Sequence, residues 1–287
     1  MRPIVPLLFA LVLLPALAAQ EPLSPDVALG QLYPDFDPDT QTASWDCAKV
    51  LQTQSRDPKN WPCSLGSGKV AVSLVLAAQV WDREISKLFL VSSAHLASEK
   101  DFSCHACQPT IGMAVFVWRT SRWVLESASP TVGKYGSWGE PPDIMLLRVG
   151  PDKYGILLSK EDGGQGYSWS ERHLLIPIGK TVHEVWSIQD EQDNSGAVDP
   201  TDPDAPHVAY RSSAAFKFIA REDDDGSGPS DYFDIEVISR GIGRQDYGHP
   251  LQTENWTEVY RFRDGEYRLL SRKDFTETEK LEAKPSR

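Results

Sequence analysis

Cys104-His105-Ala106-Cys107 carries the most reactive residue types at the closest spacing in the chain. A Cys-x-x-Cys pair exchanges electrons when one thiolate is stabilised by a helix N-terminus and left accessible. Here Gln108-Pro109-Thr110 leads straight into Ile111–Trp118, an apolar run that reads as a strand, so no helix dipole is expected beside the thiols. Covalent haem attachment needs His directly after the second Cys, and Gln108 stands there. Cys104 and Cys107 with His95 and His105 could also bind zinc. An exported chain, however, oxidises such a pair before it meets metal, which points to a structural disulfide. Four cysteines allow three pairings, and local closure favours Cys47 with Cys63 and Cys104 with Cys107.

Two glycine-bracketed aromatic segments suit ligand binding. Tyr135-Gly136-Ser137-Trp138-Gly139-Glu140 and Gly163-Gly164-Gln165-Gly166-Tyr167-Ser168-Trp169 read as loops. Glycine lets a backbone approach a ligand, and flat rings stack on sugars or clamp a peptide. Trp138, Glu140, Gln165, Tyr167 and Trp169 are therefore the candidate binding residues. The alternative is that these rings cap the ends of a β core and the glycines serve tight turns.

Asp223-Asp224-Asp225-Gly226-Ser227-Gly228, with Asp231 beyond, has the oxygen density that calcium sites use, making Asp223, Asp225 and Asp231 candidate ligands. Its order is poor for an EF-hand loop. Aligning Gly226 with the invariant glycine puts Arg221 at the first ligand position, with Pro229 and Tyr232 where further ligands belong. A solvated hairpin tip without metal is the expected state.

Other resemblances fail on chemistry. Gly66-Ser67-Gly68-Lys69-Val70 lacks both the first glycine and the metal-binding hydroxyl of a phosphate loop. His183-Glu184-Val185-Trp186-Ser187 has Ser187 where a zinc protease helix needs its second His, and the segment alternates like a strand. No Gly-x-Ser-x-Gly elbow occurs. Carboxylates are too many to nominate a glycosidase pair.

The elements that must hold these residues are strands. Val70, Val72, Leu74 and Leu76 alternate with Ala71, Ser73, Val75 and Ala77. Lys87–Ser92 and Gly112–Trp118 are apolar on both faces, as in the middle of a sheet. Hairpins are expected where Met113–Trp118 and Trp123–Glu126 flank Arg119–Arg122, and where Ile144–Val149 and Tyr154–Leu158 flank Gly150–Lys153. The strongest signal lies where Tyr260–Arg263 and Glu266–Leu270 flank Asp264-Gly265. Further strands fall at His173–Ile178, Thr181–Ile188, Ala214–Ala220 and Tyr232–Ser239. Gln189–Pro206 and Glu222–Asp231 read as acidic surface loops. The only helix expected is short, Ser44–Gln54, with Ser44 as N-cap. The predicted class is mainly β, an antiparallel hairpin-rich domain in a β-sandwich or propeller-like array.

At the N-terminus Arg2, the apolar run Ile4–Leu17 and Ala16-Leu17-Ala18 have the layout of a secretory signal peptide, residues 1–19. A loosely ordered extension (20–43), one β-rich domain (44–270) and a charged tail (271–287) follow. The formal charge is −12, which repels phosphate backbones and anionic headgroups and argues against nucleic-acid or membrane-surface partners. The sequence thus predicts a secreted or periplasmic, disulfide-stabilised binding protein whose ligand is a glycan, a peptide or an envelope protein. An enzyme is the rival, using Cys104 and Cys107 for thiol–disulfide exchange or loop carboxylates for hydrolysis.

Overall fold

Residues with period-two alternation become long paired strands. The computed structural model describes residues 22–46, 67–82, 85–99, 102–199, 201, 208–222, 230–243 and 251–275. One helix, α1 (Pro25–Leu32), precedes β1 (Thr42–Trp45), β2 (Gly68–Asp82), β3 (Ile85–Leu96), β4 (Thr110–Arg119) and β5 (Arg122–Lys134). Then come β6 (Asp143–Gly150), β7 (Lys153–Gly164), β8 (Tyr167–Ile178), β9 (Thr181–Asp193) and β10 (Arg211–Ile219). The series closes with β11 (Asp234–Gly243), β12 (Gln252–Thr253), β13 (Trp256–Arg263) and β14 (Glu266–Asp274).

The strands form two antiparallel sheets. The first is five-stranded, in the order β1-β2-β3-β4-β5. The second is nine-stranded, running β14-β13-β11-β10-β9-β8-β7-β6 with β12 attached to β11. Among the described residues three hairpins turn on two residues of positive φ: Thr120 and Ser121 at 51° and 61°, Gln165 and Gly166 at 53° and 83°, Asp264 and Gly265 at 53° and 88°. That backbone matches the twist of the strands it joins.

Faces of the sheets pack in layers. Phe89, Val91, Ile111, Met113 and Val115 of the first sheet meet Ile156, Leu158, Leu175 and Val182 of the second in one apolar cluster. The two sheets are therefore stacked as a sandwich. Leu29, Leu32, Tyr33, Ala114 and Phe116 make a second cluster, in which α1 covers the outer face of the first sheet. β4 lies between these clusters, so Thr110–Val117 is buried throughout, as its two-sided apolar sequence predicts. Tyr33 reaches through to Ser92 Oγ at 2.9 Å and donates to the Pro130 carbonyl at 3.1 Å. Gly112 makes room for it, since a Cβ there would lie 2.5 Å from the phenolic oxygen. In the third cluster Trp186, Leu174 and Leu157 pack with Ile235, Val237 and Tyr267, so the second sheet curls back on itself.

Three local expectations are corrected. A helix forms at Pro25–Leu32, within the stretch read as a loose extension, because Ala28, Leu29 and Leu32 have a sheet face to bury against. Ser44 caps no helix; it pairs with Lys69 in β1, placing Ala43 and Trp45 in the core. Gln189–Asp193 is not loop but the end of β9, where Asp190 accepts from Ser170 Oγ at 2.7 Å and Arg172 Nε at 2.6 Å. The signal segment 1–19, residues 47–54 of the expected helix with Cys47, Cys63, Asp223, Asp225 and most of the charged tail lie outside the described residues.

Candidate functional site

At one end of the sandwich the β7–β8 hairpin meets the loop after β5. The two-residue turn Gln165-Gly166 sets the hairpin register, so Asp162 stands across from Trp169 and Glu161 across from Ser170. Ser170 in turn pairs with Glu191 of β9. From the other side comes Trp138, which is 57 % exposed. Trp138 and Trp169 line one cleft of about 440 Å³ with Ser137, Glu161, Asp162 and Glu191.

The disulfide loop fixes Trp138. Cys104 and Cys107 are bonded, closing a turn whose carbonyls accept from Gly139 N–H (Cys107 O, 2.7 Å) and Trp138 N–H (His105 O, 3.5 Å). The His105 ring lies edge-on to Trp138 at 5.3 Å, and its Nε2 is 2.6 Å from Asp162 Oδ1. His105 thus ties the two walls of the cleft together. Trp138 sits at φ +56° and Gly139 at +80°, conformations that cost a side-chain residue energy. A Cβ on Gly139 would fall 1.8 Å from the Phe102 carbonyl oxygen, so only glycine lets the two loops close. Burial pushes the Asp162 carboxyl up, but His105, the Gly163 N–H and Lys160 together hold it below the usual carboxylate range.

Behind the cleft the same face of β8 leads into the sandwich interior. Along it Trp169, Glu171, His173 and Leu175 alternate inward, so the lining passes from polar to apolar. His173 lies between two carboxylates, Nδ1 3.4 Å from Glu184 and Nε2 3.6 Å from Glu171. Tyr135 donates to Glu184 at 2.5 Å and packs its ring 4.9 Å from His173. Burial opposes the imidazolium, but the two glutamates outweigh it and push the His173 pKa up to about 9. Burial likewise works against the Glu184 anion, and His173 with Tyr135 holds its pKa below normal.

Of the five residues singled out, Trp138 and Trp169 share the cleft. Glu140 lines an adjoining depression of about 190 Å³. Gln165 and Tyr167 are not brought to either hollow: Gln165 supplies turn backbone, and Tyr167 pairs with Gly164 at the start of β8. Trp169 lies on a strand, not in a loop. The zinc arrangement does not form; the sulfurs are bonded to each other and His95 stacks on Phe102 at 4.8 Å. No helix follows Cys107, in keeping with a staple. Asp231 is exposed in a bend, and no group of three or more ligating side chains that could hold a metal occurs among the described residues. His183 bonds Thr181, while its neighbour Glu184 turns to His173.

Sequence reasoning missed Asp162, His105 as a clamp, and the Tyr135–Glu184–His173–Glu171 group. The register implied by a two-residue turn at Gln165-Gly166 was the signal for Asp162, since it sets that residue opposite Trp169. Comparison with protein-family models, with curated proteins and with solved structures gives no match. Among the described residues no helix is long and apolar enough to cross a membrane.

Proposed function

We propose that this chain is an exported carbohydrate-binding protein whose ligand lies over Trp138 and Trp169. The observation that carries this reading is that two indoles from separate segments line one cleft together with serine hydroxyls and three carboxylates. Aromatic faces take the C–H face of a sugar ring, and carboxylates and hydroxyls accept and donate to its hydroxyl groups. The lining is mixed rather than apolar, which suits a hydroxylated ligand better than a greasy one. An extended peptide is a poorer fit. Adding a strand needs unpaired backbone, and β7, β8 and β9 are already paired with one another through the cleft wall. The net charge of −12 keeps nucleic acid away. Arg2, the apolar run after it and the disulfide support export.

A glycan array probed with the purified protein, followed by titration of the hits against tryptophan fluorescence, tests the proposal. Trp138→Ala and Trp169→Ala should each weaken binding at least tenfold, about 1.4 kcal/mol, with no collapse of the fold. Absence of any glycan binding, or binding indifferent to both substitutions, would overturn it.

A further inference from the structure

We infer that the ligand is a linear oligosaccharide lying across two adjoining subsites, not a single sugar held at the tryptophans. This rests on the carbohydrate reading of the cleft and extends it. The cleft of Trp138 and Trp169 and the depression of Glu140 have two lining residues in common, Ser137 and Glu161. They are thus neighbouring hollows separated by a saddle, about 440 Å³ on one side and about 190 Å³ on the other. A compact ligand would fill the first and leave the second empty; a chain crossing the saddle uses both.

The saddle is built to keep its shape. Ser137 and Glu140 exchange backbone hydrogen bonds, Ser137 N–H to Glu140 O at 3.2 Å and Glu140 N–H to Ser137 O at 2.9 Å, which makes a miniature hairpin. Trp138 stands at its tip over one hollow, and the exposed Glu140 borders the other. Beyond Glu140 the half-buried Pro141 borders the second hollow, with the buried Pro142 behind it. Beneath the saddle the Lys160–Asp162 ion pair, 3.3 Å, joins the two floors, Asp162 lining the first and Lys160 the second. Among the described residues neither the Glu140 nor the Glu161 side chain pairs with a cation, so both carboxylates are free to accept hydroxyl donors. The second hollow is thus the more polar of the two, with Glu140, Glu161 and Ser159 along it, and suits the hydroxyl groups of a sugar unit that runs on from the tryptophans.

The test is a length series. Oligomers of one to six units of β-1,4-linked glucose, β-1,4-linked N-acetylglucosamine and the best glycan class from the array are titrated against wild type, Glu140→Ala, Glu140→Gln and Trp138→Ala, with melting curves for each. Affinity should rise at least tenfold between one and four units. Glu140→Ala should lower tetramer affinity about fivefold and leave the shortest bound ligand unchanged, Glu140→Gln should fall between, and Trp138→Ala should weaken every length. Affinity flat with length, or a tetramer indifferent to Glu140→Ala while Trp138→Ala still weakens binding, overturns the two-subsite inference and leaves the binding cleft standing. Failure of every glycan to bind overturns both.

Discussion

Raising the pH should loosen this fold through one imidazole. His173 is drawn upward to about pKa 9 by Glu171 and Glu184. A group whose pKa is raised by folding stabilises the native state fully below its unfolded value, near 6.5, and loses that contribution as pH climbs through the folded value. A rise from 6.5 to about 9, at about 1.36 kcal/mol per unit, sets a ceiling of roughly 3 kcal/mol. Glu171 and Glu184 are 38 % and 34 % exposed, so solvent screening reduces this to about 1–2 kcal/mol. Below the window the sign reverses. Both glutamates have lowered pKa values, and their contribution disappears as pH falls below 4.5. Stability should therefore plateau between about pH 4.5 and 6.5 and decline towards 9.5. The Tyr135 phenol is raised further by burial and Glu184, so it stays neutral throughout this range. Urea titrations of wild type and His173→Gln at pH 6.0, 7.5 and 9.5 measure the effect. The variant should be weaker by about 1–2 kcal/mol at pH 6.0 and nearly level with wild type at pH 9.5. A stability gap that does not narrow across that interval would refute the ion-pair account of His173.

Further outcomes follow from the packing. Gly139→Ala should cost at least about 2 kcal/mol and abolish cleft binding, because its φ and the Phe102 carbonyl both exclude a Cβ; chemical denaturation with a binding assay checks this. Cys104→Ser/Cys107→Ser should lower stability by about 2 kcal/mol, the chain-entropy value for so short a loop, and weaken glycan binding by freeing Trp138. Retained wild-type affinity in that variant would show that the disulfide does not position the ring. Asp234→Ala should cost about 3–5 kcal/mol, since the buried carboxylate lies within 3.1 Å of both Arg221 and Arg261. Phe116→Ala should cost about 3–5 kcal/mol, whereas Trp138→Ala should cost under about 1 kcal/mol; equal melting shifts would make Trp138 a core cap.

Much of this fold could be read from residue patterns wherever pattern and burial coincide. The two-sided apolar run at Gly112–Trp118 lies between two clusters, and Asp264-Gly265 turns the hairpin its φ preferences require. The turn at Thr120-Ser121 falls inside the hairpin expected at Arg119–Arg122, with residues that favour its backbone less than Asp-Gly does. Gln165-Gly166 was harder to read: the segment Gly163–Trp169 looks like a loop, and the pairing of β7 with β8 on either side narrows it to a two-residue turn. Helix α1 was invisible for a related reason: eight residues with Gly30 in the middle have little helical tendency of their own, and the sheet beneath supplies the driving force. In the site, glycine-flanked Trp138 was legible as a presented ring. The His105–Asp162 contact spans 57 residues of sequence, and no local signal encodes such a distance.

The order of the strands also bears on how the protein is made. In the first sheet each strand pairs with its neighbour in the chain, and the same holds from β6 through β11. Such a meander needs few distant encounters, so it belongs with the faster-folding all-β topologies. Its hazard lies in timing. The first sheet is complete by Lys134, yet Phe89, Val91, Ile111, Met113 and Val115 have no cover until β7, β8 and β9 arrive. During synthesis the half-made chain therefore carries a flat, sticky face, the kind of surface on which nascent proteins aggregate. That face stays open until the second sheet closes over the first.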